Sequence, residues 1–290
     1  MDCQEKEQPT QSLAAGADIV ETLSRIANAL DRLAPCKAAN VDWWAFPGYI
    51  WDGSQTRGVA RLDAPSLDLL RGIESQKERV VTNVRRHAAG HAAHDMLLWG
   101  SRGMGKSALL RAAVLEAQGA DLSQIALVQV SQAALPEIGR LFNELSRYDR
   151  RFFVFIDDLG FEEADTAGPR LLRSWLEGGV EARPSNVRLA VTSNRRAIVG
   201  RSMVEQDDPI NPRDAADDKL ALADRFGLSI GFHNCSQDDY LEIVSGYASA
   251  LHLRWRAEDA LEWSQRRGAR SGRVAWQYIA ELAGRAGKSL

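Results

Sequence analysis

Apolar positions change their period along this chain of 290 residues, and the changes divide it into segments. Residues 1–16 read as a loose tail. From Asp18 onward, Ile19, Leu23, Ile26, Ala27, Leu30 and Leu33 recur at helical spacing until Pro35 stops the pattern. The stretch Trp43–Trp51 is rich in aromatics, holds turn residues and has no clean period. Packing on the core and docking of a partner are both open readings for it. After Pro65, residues 66–87 read as a helix again.

Beyond Asp95, short apolar runs alternate with amphipathic segments. The runs Met96–Trp99, Ile125–Val130, Phe152–Ile156, Val187–Thr192 and Leu228–Phe232 predict strands. Between them, Ala108–Ala117, Leu135–Tyr148, Pro169–Glu177 and Ala216–Phe226 predict helices. Strands that are apolar throughout and separated by helices imply a parallel sheet covered on both faces. After Phe232 the pattern is helical only, over Gln237–Leu251, Ala257–Arg267 and Arg273–Ala286. Ser236, three residues before Asp239, is a good N-cap for the first of these.

Chemistry enters at Gly100-Ser101-Arg102-Gly103-Met104-Gly105-Lys106-Ser107, followed by Ala108. The segment fits G-x-x-x-x-G-K-[ST] between a predicted strand and a predicted helix, the setting that a phosphate-binding loop needs. Its glycines let successive N–H groups point inward at phosphate oxygens, and the helix N-terminus adds positive potential. Lys106 would reach the β- and γ-phosphates, and the Ser107 hydroxyl would hold Mg²⁺.

The strand Phe152–Ile156 ends in Asp157 and Asp158, some fifty residues later. Asp157 fits the Mg²⁺ shell, and a second acid would orient the attacking water. That second acid is Asp158, with Glu162 or Glu163 in the next turn as alternatives. A solvated acidic turn is the alternative, and the position some fifty residues after the loop favours the Mg²⁺ reading over it. Asn194 stands at the tip of the strand Val187–Thr192, where it could hold water beside a γ-phosphate or simply end a strand. Arg225 closes a predicted helix before a strand; it could project into a neighbouring subunit's site or sit solvated at a helix C-terminus. Arg273, at the start of the last helix, could fold over a nucleotide. His87, His91 and His94 have a spacing that one helix could use for metal, but Gly90 interrupts it, and solvated loop histidines fit better.

In this order, these signals resemble the AAA+ ATPases. The closer likeness is to an uncharacterised bacterial AAA+ family, a domain of unknown function. It rests on Gly72–Lys77, Leu97–Ser107, Asp157–Glu163, Glu181–Asn186, Thr192–Arg196 and Leu222–Leu228, and covers roughly residues 60–280. The resemblance implies an α/β fold: a three-layer αβα core of the P-loop NTPase type with a five-stranded parallel sheet, then a small helical lid. Its domains would be an extension at 1–60, a nucleotide-binding core at 61–232 and the lid at 233–290. It implies ATP rather than GTP, with Mg²⁺, and self-assembly into a ring or partial ring. It assigns Asn194 to sensor 1, Arg225 to the arginine finger, Arg273 to sensor 2 and Ile73 to the adenine wall.

The expected function is ATP hydrolysis at subunit interfaces, driving movement of an unknown protein or nucleic-acid partner. The alternative is an ATP-controlled binding module, a loader or adaptor with little turnover. A small-molecule kinase fits poorly, because the last helices and Arg273 would have no role. A net charge of −3 argues against a surface coated in basic residues. Cys3, Cys36 and Cys235 suggest neither a disulfide framework nor a zinc knuckle. The polar start and the lack of any apolar run near ~20 residues predict a cytoplasmic chain with no membrane insertion.

Overall fold

The computed structural model describes residue 25 and residues 41–161, 167–178, 183–194 and 222–290. Most of the helix expected before Pro35, Glu162 and Glu163, and residues 216–221 of the helix expected at Ala216–Phe226 lie outside the described residues.

Seven strands form one sheet: β1 (Gly48–Trp51), β2 (Thr56–Val59), β3 (Met96–Gly100), β4 (Ile125–Val130), β5 (Arg151–Ile156), β6 (Val187–Ser193) and β7 (Leu228–Phe232). Their order is β2-β1-β4-β5-β6-β3-β7. Only the β1–β2 hairpin is antiparallel; every other neighbouring pair is parallel. Each of the five expected strands is present, so the expected count of five is corrected to seven by the hairpin. The hairpin escapes period analysis because β1 has only four residues, three of them buried, and shows no alternation. Gly48 lies opposite Leu127 in β4, and a Cβ there would come within 2.6 Å of Leu62.

Among the described residues the helices are α1 (Glu74–Ala88), α2 (Lys106–Gln118), α3 (Ile138–Leu145), α4 (Ala167–Glu177), α5 (Gln237–Ala250), α6 (Ala257–Arg266) and α7 (Gly272–Arg285). The expected helix over 66–87 begins late. Gly72, with φ of 73°, interrupts the backbone, and only a short turn at Leu67–Leu69 precedes it. In the same way Pro136 sits in a 3₁₀ segment, Gln132–Glu137, which delays α3 to Ile138. The Ser236–Asp239 capping box at α5 is formed in both directions, at 3.1 and 3.0 Å. Both faces of the sheet are buried. Met96, Leu98, Leu127, Phe153 and Phe155 join α1, α2 and the last three helices in one apolar core. The alternate residues Leu97, Val128, Phe152, Val154 and Leu189 are fully buried as well.

Arg150, just before β5, fastens the N-terminal hairpin to this core. It is fully buried. Its Nη1 donates to the carbonyl of Trp43 and, at 3.3 Å, to the Tyr49 hydroxyl. Its Nη2 donates to the carbonyls of Phe46 at 3.0 Å, Leu122, and Ile125 at 3.1 Å. No carboxylate pairs with it among the described residues, so carbonyl dipoles carry the charge. Trp43, Tyr49 and Trp51 are buried around it, while Trp44 stays 41% exposed. Arg150→Met should therefore destabilise the fold by about 3 kcal/mol or more, the scale of orphaned buried acceptors; a urea-unfolding series measures the loss.

His87 corrects the expectation of solvated histidines, being 2% exposed in the last turn of α1. Its Nε2 lies 3.2 Å from the Phe152 carbonyl and its ring meets Phe153 edge-on. Because a carbonyl only accepts, the neutral ring must donate from Nε2. Burial pulls the His87 pKa down to about 4. An unfolded histidine takes its proton near 6.5, so between pH 6.5 and about 4 the unfolded chain binds more protons than the folded one. Stability should fall across that window by up to about 3 kcal/mol from this group alone. Urea melts of His87→Gln compared with the parent at pH 7, 5.5 and 4.5 should show a flatter pH dependence in the variant.

Candidate functional site

Parallel register brings the chemistry to one sheet edge. Ile156 of β5 lies opposite Val191 of β6, so Asp157 follows beside Thr192; Trp99 of β3 lies opposite Ser193. The loop 100–107 leaves β3 at the same edge and turns into α2. Gly100 has φ of 120°, and a Cβ there would stand 2.1 Å from the Phe232 carbonyl of β7, a clash no side chain survives. Gly105 holds the left-handed N-cap position of α2, at φ of 88°. No side chain caps this helix, so its first N–H groups remain free to meet an anion.

Lys106 is only 8% exposed. Its Nζ donates to the carbonyls of Gly100 at 2.7 Å and Ser101 at 2.9 Å, and to Asn194 Oδ1 at 3.3 Å. Burial holds its ammonium pKa below the ordinary lysine value. Asp158 and Asp157 pull the pKa back up, while Arg102 and Arg273 push it further down. The Ser107 hydroxyl donates to Asp157 Oδ1 at 2.5 Å, and the Thr192 hydroxyl donates to the same oxygen at 2.6 Å. Ser107 and Asp157 thus offer adjacent oxygens of the kind a small hard cation takes, which fits Mg²⁺. Asn194 Nδ2 donates to Asp158 Oδ1. Asp158 has φ of 52°, a conformation that aspartate tolerates better than most residues. Bonds from Asp158 N to Thr192 Oγ1 (2.8 Å) and from Leu159 N to Thr192 O (2.8 Å) hold that turn.

The last helix closes on the loop. Arg273 N donates to the Gly103 carbonyl at 3.1 Å, and a Cβ on Gly103 would lie 2.8 Å from Ser271 Oγ. The Ser271 hydroxyl in turn accepts from Val274 N and caps α7.

Between these parts lies a cavity of about 770 Å³. Of the residues expected at the site, Ile73, Arg102 through Ala108, Asp157, Asp158, Asn194 and Arg273 line it. Gly100 and Ser101 stand behind it, at the Lys106 ammonium, with the Ser101 hydroxyl donating to Asn234 Oδ1 at 2.5 Å. Arg225 does not line it; its guanidinium donates to Glu177 at the end of α4. Besides Lys106 and the two aspartates, the lining includes the apolar Leu69, Leu70, Ile73, Ile243, Tyr247 and Trp276, with Asp63, Arg71 and Arg111 as further charged members.

Sequence reasoning missed Thr192, Tyr247 and Trp276 as parts of this site. Thr192 could have been found from the strand register, since it precedes Asn194 by two. Tyr247 and Trp276 carry no signal, because helix docking alone brings them here.

The family model "Protein of unknown function (DUF815)" matches residues 44–286. No curated protein matches. Many solved structures share the fold, the following two among them. The Holliday junction branch migration motor RuvB of Thermotoga maritima is 19% identical with a TM-score of 0.50, over 78% of this chain and 68% of that one. The Aeropyrum pernix ORC1 protein, solved in complex with DNA, is 17% identical with a TM-score of 0.50, over 76% and 62% of the two chains. Identities this low bear on the fold, which is that of the AAA+ P-loop NTPases.

The Thr192 hydroxyl is buried and serves Asp157 and Asp158 together, so Thr192→Val should cost about 1–3 kcal/mol in a denaturant melt. Thr192→Ser should recover most of it; equal stability of the Val variant would rule out the two-sided bond.

Proposed function

This chain belongs to the DUF815 family and has the AAA+ fold, and from that premise we propose that it binds ATP with Mg²⁺ and hydrolyses it between subunits to move a macromolecular partner. The observation that carries the reading is the convergence of Lys106, Ser107, Asp157, Asp158, Asn194 and Arg273 on one cavity that apolar side chains also line. A nucleoside triphosphate matches that lining, with phosphates at the cationic loop and the base against the apolar side chains. A cavity of this size falls in the range that small ligands occupy.

In this reading the free N–H groups of α2 and the Lys106 ammonium bind the phosphates, and Arg102 and Arg273 add positive charge. Ser107 and Asp157 hold Mg²⁺, which supplies charge neutralisation on the phosphate oxygens. Thr192 keeps the Asp157 carboxylate aimed at Ser107. Asp158 and Asn194 orient water, with Glu162 as a further candidate acid. Contact between the Gly103 carbonyl and the Arg273 N–H gives nucleotide state a direct path to the last three helices, which we take as the lid.

Arg225 stands off its own chain's cavity wall, so a role on phosphate requires a neighbouring subunit. We therefore infer a homo-oligomer in the cytoplasm. A protein or nucleic-acid partner follows by analogy with RuvB, a branch migration motor, and with ORC1, solved with DNA. Among the described residues no helix is long and apolar enough to cross a membrane.

One observation favours the slower alternative, an ATP-controlled binding module. Asp158 is one methylene shorter than glutamate, and its carboxylate is already engaged by Asn194. Turnover per subunit, measured against protein concentration with Lys106→Ala as the blank, separates the two. Activity that climbs with concentration supports completion of the site by a neighbour. Flat, very low activity with tight ATP binding supports the module. Arg225→Ala should cut turnover by about 10³-fold or more while leaving ATP affinity nearly intact; normal turnover in that variant sinks the role in trans.

A further inference from the structure

Arg111, on α2, has no task in the account above. It lines the same cavity as Ala108, three residues earlier on the same helix face. Its Nε is buried with no hydrogen-bond partner, and no carboxylate pairs with it among the described residues. Asp63 lines the cavity as well and forms no ion pair with it. Arg85, by contrast, reaches α2 from α1 and pairs with Glu116 at 2.5 Å. A guanidinium keeps its charge at any working pH, so a partly desolvated one facing a cavity selects for an anion.

Helix geometry says which anion. Side chains on a helix lean towards its N-terminus, so Arg111 runs back over Ala108 towards the loop. At about 100° per residue it projects some 140° around the axis from Lys106. It therefore serves the opposite end of a phosphate chain from the Lys106 ammonium. We propose that Arg111 binds the phosphate attached to the ribose in a bound nucleoside di- or triphosphate. This inference rests on the nucleotide reading above and adds a contact that the loop pattern does not contain.

Calorimetric titration of the full chain with ADP and with ATP tests it, comparing the parent with Arg111→Met and Arg111→Lys. Both nucleotides carry that phosphate, so both should bind Arg111→Met more weakly by the same factor. One charge-assisted hydrogen bond sets that factor at about tenfold or more. Arg111→Lys should recover part of the affinity. Without ligand, Arg111→Met should melt at or above the parent temperature, since it removes an unpartnered buried N–H. A variant that binds ADP as tightly as the parent overturns the proposal. So does one that loses ATP but not ADP, which would move Arg111 to the far phosphates. If the parent itself binds neither nucleotide, the nucleotide reading falls first and this contact falls with it.

Discussion

Parallel hydrogen bonding of β5, β6 and β3 is the constraint on which the site depends. Parallel strands deliver their carboxyl ends to one edge, so three loops that are distant in sequence open side by side. The register then sets atomic neighbours: Asp157 falls beside Thr192, and the loop leaving β3 falls beside the strand that carries Asn194. A slip of one residue would turn the Thr192 hydroxyl to the other face and leave the Asp157 carboxylate without its second donor. The register is secured by strands buried on both faces, where no slip could keep the apolar packing.

Onto that edge the fold concentrates charge: Asp157, Asp158, Arg102 and Arg273 are exposed there, around a lysine that is not. Lys106 is nearly buried, and two backbone carbonyls and an amide oxygen hold its ammonium, so it is placed before any ligand arrives. Asp158 and Asp157 act on its charge in one direction and Arg102 and Arg273 in the other. The lysine donates to Asn194, which in turn donates to Asp158. A hydrogen-bonded chain thus runs from Lys106 through Asn194 to Asp158, then through the Asp158 backbone to Thr192 and Asp157. Hydrogen bonds joined in such a chain polarise one another.

Two devices far apart in sequence hold the rest of the chain to this centre. Arg150 spreads a buried charge over four carbonyls from two segments and so welds the added hairpin to the sheet. At the opposite end, the first turn of α7 donates to the phosphate-binding loop itself. The loop is therefore a shared wall between the sheet and the last three helices, and its glycines are needed as much for that close approach as for turning.

From sequence alone the core strands, the loop 100–107, the two aspartates, Asn194 and the final helical part were legible, because apolar runs and glycine spacing are local properties. Strand ends matched to within one residue wherever both faces are buried. The hairpin at residues 48–59 was not legible: a four-residue strand with three residues buried carries no period, and pairing with β4 is a long-range event. The helix over 66–87 was overextended, since Gly72 and the packing of the preceding turn outweigh local propensity. Which groups meet was likewise decided only by tertiary structure. Register placed Thr192 against Asp157, and helix docking brought Tyr247, Trp276 and Arg273 to the cavity. Packing gave Arg225 a glutamate in its own chain and left Arg111 without one. The physical reason is that composition and spacing encode backbone conformation over a few residues, whereas a site is a set of distances fixed by how separate elements pack.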